Sequence, residues 1–78
     1  MRLLTEKQKL IMYIAMKNYF KSYMKRFPGK SYKDAINATR NYAEGFIAKF
    51  FESQIDRETS IWIEETLNKI LTEVAETS

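Results

Sequence analysis

Apolar residues return every three or four positions along most of this 78-residue chain, the spacing of a helix face rather than of a strand. Thr5 opens "TEKQ", in which the threonine hydroxyl and the glutamine side chain satisfy each other's unpaired backbone donors. The signal predicts helix 1 over about residues 5–26. Pro28 and Gly29 form the one strong breaker pair, and proline disfavours helical geometry at Phe27. Ser31 opens "SYKD", a weaker version of the same box, and predicts helix 2 over about residues 31–52. Its apolar face carries Ala35, Tyr42, Ala43, Phe46, Ile47 and Phe50. Gly45 inside it costs about 1 kcal/mol against alanine, which predicts a close backbone neighbour or a bend. The polar stretch "ESQIDRETS" lacks Gly and Pro, but "SQID" and "DRETS" both offer cap residues. Helix 3 is therefore predicted over about residues 57–75, with Ile63, Leu67, Ile70, Leu71 and Val74 on one stripe. No alternating strand pattern or repeat occurs. The expectation is an all-α single domain over residues 1–78, a compact three-helix bundle. If the polar stretch instead continued the helix, the alternative would be a long helical hairpin that dimerises.

Helix 1 departs from simple amphipathicity. At 100° per residue, Tyr19, Met12, Tyr23, Met16, Phe27, Phe20, Tyr13 and Met24 fill an arc of about 140°. Leu10, Ile11, Ile14 and Ala15 fall outside it, so between residues 10 and 16 the helix is apolar all round. Two neighbouring helices cover only part of a circumference, and a helix apolar on every side is a buried one. The pattern predicts extra cover from a second copy, giving a homodimer through helix 1. Trp62, between Ile61 and Ile63, points away from the helix 3 stripe. It is expected to close the end of the bundle beside helix 2, or else to anchor a partner. Leu10, Ile11, Ile14 and Trp62 are the candidate partner or dimer interface.

Composition narrows the class. Hydrophobic residues make up 45% of the chain, with five Phe, five Tyr and one Trp, enough for a core and against disorder. A chain this short buries only about 60–65% of its unfolded surface. Its stability should be about 4–12 kcal/mol. Cysteine is absent, which in a small domain suits a reducing cytoplasm. The amino terminus carries Glu6, Lys7 and Lys9 and lacks a small-residue cleavage site. The longest apolar run, "LIMYIAM", is far short of the ~20 residues that span a bilayer. A soluble cytoplasmic protein is expected.

The net charge of +3 conceals a gradient: residues 1–30 carry +7, residues 31–53 are neutral, and residues 54–78 carry −4. Much of the positive charge lies in "KNYFKSYMKRFPGKSYK", where Lys17, Lys21 and Lys25 recur at four-residue steps. Arg26, Lys30 and Lys33 follow. Cations on one rigid face suit phosphates, and neighbouring rings suit unpaired bases. These six residues are the candidate nucleic-acid contacts, with an acidic protein partner as the other ligand they suit. Lysine outnumbers arginine, which is against base readout, since that favours bidentate arginine.

Catalysis is not expected. His and Cys are both absent, removing the commonest general base and the soft metal ligands. No Gly-rich phosphate loop or calcium-loop spacing occurs. Glu64 and Glu65 are adjacent and so diverge by about 100° on a helix. Asp56 and Glu58 suit the start of helix 3. No cofactor, metal or small-molecule substrate is implied. A helix-turn-helix reading of "SYKDAINATRNYAEGFIAKFF" fails at Arg40, where the turn usually has glycine, and at Asn41, where an apolar anchor belongs. The expected function is binding or regulation, in its most specific form nucleic-acid binding through the basic face of helix 1. The alternative is a small inhibitor or immunity-type protein, as phages and mobile elements encode, that blocks a larger protein through Ile11, Ile14 and Trp62.

Overall fold

The computed structural model describes residues 4–51 and 55–77, without the side chain of the last. Three helices, α1 (Glu6–Arg26), α2 (Tyr32–Phe50) and α3 (Arg57–Thr77), pack against one another in an elongated bundle of 39 × 20 × 18 Å. The hairpin alternative falls. α2 ends at Phe50, residues 55 and 56 are not helical, and α3 returns across both other helices.

Local chemistry sets the ends. The Gln8 N–H donates to the Thr5 hydroxyl at 3.1 Å and the Thr5 N–H to the Gln8 side chain at 2.9 Å, a complete capping box. The Asp34 N–H donates to the Ser31 hydroxyl at 3.3 Å. Asp56 caps α3 by accepting from the Thr59 N–H at 2.8 Å, and that bond holds its carboxyl below the usual range. The other proposed cap, at residues 53 and 54, lies outside the described residues. The Lys30 N–H closes the turn around Pro28 and Gly29 onto the Phe27 carbonyl at 3.0 Å.

The core is Met12, Met16 and Phe20 from α1, Ala35, Thr39, Ala43 and Ile47 from α2, and Ile63, Leu67 and Ile70 from α3, with Leu4 beneath the start of the bundle. Leu71 and Val74 pack on its edge as expected. Three expectations need correction. Phe50 is 64% exposed, being the last residue of α2, where no further turn of the helix covers it. Phe27, at the C-cap, is 44% exposed rather than interior. Of the two explanations expected for Gly45, the close backbone neighbour falls, since nothing lies within 4 Å of where a Cβ would stand.

Parallel α1 and α3 are pinned in register. Tyr13 donates its hydroxyl to Glu73, the Lys17 ammonium lies 3.5 Å from the same carboxylate, and Lys69 stands 5.0 Å over the Tyr13 ring. The first of these bonds holds Glu73 below its ordinary range and pushes the Tyr13 phenol above its own. Arg40 joins α2 to α3 through two donors to Glu64, one at 3.0 Å, and donates to Asn37 at 2.7 Å. That fork lowers Glu64 and raises Arg40.

Candidate nucleic-acid interface

The register of α3 decides which cations are available. Glu73 is level with Lys17, and residues 74–77 carry the described α3 only about 6 Å further. α1 continues to Arg26 and turns at Pro28 and Gly29 into α2. The α1–α2 tip therefore stands beyond the acidic helix. Lys21, Lys25, Arg26, Lys30 and Lys33 lie on or next to this tip, all exposed, and none forms an ion pair with a described residue. The Asp34 carboxylate there already accepts the Ser31 hydroxyl at 3.2 Å.

Lys17 separates from the other candidates. Its side chain is one-third exposed, paired with Glu73 and 5.8 Å over the Tyr13 ring. It serves the α1–α3 contact, and the continuous lysine row read from four-residue spacing is broken at its first member. Arg26 points to another side of α1 than Lys25, since adjacent helix positions lie about 100° apart. Together with Tyr19, Ser22, Tyr23 and Phe27 it lines a groove of about 300 Å³ on the side facing α2.

That groove opens onto an aromatic seam. Phe27 packs on Tyr23 at 5.0 Å between ring centres, Tyr23 neighbours Tyr19 at 6.5 Å, and Tyr19 stacks on Tyr42 at 4.4 Å. Beyond it, Tyr42 meets Phe46 at 5.9 Å and Phe46 meets Phe50 at 4.7 Å. The Lys49 ammonium lies 5.8 Å from the centre of the Phe50 ring. No family model, curated protein or solved structure matches this chain.

The candidate partner interface divides in two. Leu10, Ile11 and Ile14 are 59%, 42% and 51% exposed, so the chain's own helices leave them uncovered. Trp62 is half-buried and packed against the core. It lines grooves with Glu6, Lys9 and Leu10 on the α1 side, rather than closing the bundle beside α2. Sequence reasoning did not single out Lys49 or the α2 half of the seam. The signal was present: Tyr42, Phe46 and Phe50 repeat at four-residue steps, as Tyr19, Tyr23 and Phe27 do. No helix among the described residues is long and apolar enough to cross a membrane, and no described acidic cluster has the makings of a metal site.

Proposed function

We propose that the chain is a non-enzymatic, regulatory nucleic-acid-binding protein whose contact surface is the basic α1–α2 tip. One observation carries this: Lys21, Lys25, Arg26, Lys30 and Lys33 are exposed, form no ion pair with a described residue, and stand clear of the described α3. Each cation that neutralises a phosphate releases counterions. The Ser31 end of α2 adds the positive end of a helix dipole to the same tip. Lysine-rich contact of this kind follows the backbone and gives affinity without strong sequence preference. Titration of short DNA and RNA at several salt concentrations tests the reading. Five phosphate contacts predict a log–log salt slope of about −4.5 on duplex DNA. The Lys25→Glu, Lys30→Glu double variant should flatten that slope. A flat or undetectable wild-type response removes the proposal.

A second reading, of another class, is favoured by the exposure of Leu10, Ile11 and Ile14. Here the chain is a small inhibitor that lays the outer face of α1 on a larger protein and blocks it. Large aliphatic side chains grouped on a rigid helix suit an apolar groove better than a phosphate backbone. Affinity capture from host lysate, with and without nuclease, separates the readings. A protein retained after nuclease and lost with Ile14→Glu supports the inhibitor. Capture that disappears with nuclease supports the tip.

A further inference from the structure

The aromatic seam between α1 and α2 leaves ring surface open to solvent. Its two end rings, Phe27 and Phe50, remain 44% and 64% exposed. Leaving large apolar rings in water forgoes the favourable transfer that burial would give. Between those ends run Tyr23, Tyr19, Tyr42 and Phe46, each partly exposed and each within 6.5 Å of the next ring centre. The cations sit at the ends of the line. Arg26 lines the groove beside Tyr19, Tyr23 and Phe27, while Lys49 stands over Phe50. No carboxylate lines that groove.

We propose that this seam is a stacking platform for single-stranded nucleic acid, with Arg26 and Lys49 meeting phosphates at its two ends. The proposal rests on the nucleic-acid reading above and names the form of the ligand. Duplex bases are already stacked and paired, so exposed ring faces find partners only among unpaired bases. A line of rings beside cations is the arrangement by which single strands are held without sequence readout. The groove volume of about 300 Å³ is at the lower end of small-ligand pockets, which suits one base at a time rather than a buried cofactor.

The test uses the full chain with a fluorescent twelve-nucleotide single strand, its duplex and poly-glutamate, all at one low salt concentration. The single strand should bind at least about tenfold more tightly than the duplex. Phe27→Leu, Tyr23→Leu and Phe50→Leu keep an apolar side chain but remove the ring. Each should weaken single-strand binding about 5- to 100-fold and leave duplex binding unchanged, with the helical circular-dichroism spectrum at the assay temperature retained. Equal affinity for the two forms, or ring variants that bind like wild type, overturns the platform while the basic tip stands. Poly-glutamate binding with the same dependence on the rings also overturns it, since the seam would then read negative charge alone. No binding of either nucleic acid overturns both proposals together.

Discussion

At the scale of single residues, Gly45 is the clearest departure from what the helix needs. It lies exposed within α2, and a Cβ there would meet nothing within 4 Å. Gly45→Ala should therefore raise stability by about 0.5–1 kcal/mol. On a domain this small that shifts the thermal midpoint upward by roughly 2–8 °C, read by circular dichroism. An unchanged or lower midpoint would mean that glycine serves the fold in some other way. Thr39 shows the opposite case, a polar residue taken wholly into the core. Its hydroxyl donates to the Ala35 carbonyl at 2.7 Å, so burial leaves no donor unpaired. The four-residue row Ala35, Thr39, Ala43, Ile47 was legible, but only by ranking position above polarity. Lys17 was misread for a related reason: helical spacing places it in a row with Lys21 and Lys25, while the carboxylate that claims it comes from a helix 56 residues away in sequence. Wheels describe one helix. They do not see its neighbours.

At the scale of elements, the helices were readable because three local signals agree with one another: Thr5 and Asp56 at starts, Pro28 at a stop, and apolar stripes at helical period. What escaped is what two elements make jointly. The aromatic seam belongs half to α1 and half to α2, and each half taken alone looks like ordinary core. The polar pins that join α3 to its neighbours are also joint features, and they carry a pH dependence. Glu73 and Glu64 are held below the ordinary value of 4.5, and Asp56 below 3.8. A depressed carboxyl stabilises the fold above its unfolded value, and that contribution fades as pH falls through the folded value. Tyr13 is raised above 10.0, so its contribution is full below that value and is lost as pH climbs past the folded one. With no histidine in the chain, no side chain has an ordinary titration between about pH 5 and 8. The thermal midpoint should be level from about pH 6 to 9, falling below roughly pH 4.5 and again above roughly pH 10. Glu73→Gln should reduce both falls, because it removes one partner of each; a midpoint sloping through neutrality would contradict this account.

At the scale of the whole molecule, the open matter is what covers the outer face of α1. The bundle exposes 5499 Å², and a standard interface takes about 800 Å² from each partner, roughly 15% of that surface. We propose that a second copy supplies it. Antiparallel pairing of two α1 helices about a point between Ile11 and Ile14 sets Ile11 of one copy against Ile14 of the other. The same register sets Lys7 against Asn18 of the other copy, so lysine does not face lysine despite the +7 balance of residues 1–30. It also sends the two α1–α2 tips to opposite ends, leaving both basic surfaces and both aromatic seams open. Light scattering at tens of micromolar should give about twice 9.3 kDa. Added salt should hardly change that mass, because apolar burial rather than ion pairing holds the copies together. Ile14→Glu places a charge at the centre of the face and should return the chain to 9.3 kDa. Since Ile14 is 51% exposed in the single chain, that variant should keep the helical spectrum of the wild type. A wild type that remains a monomer at these concentrations rules out the second copy, and the face then falls to the larger protein of the inhibitor reading.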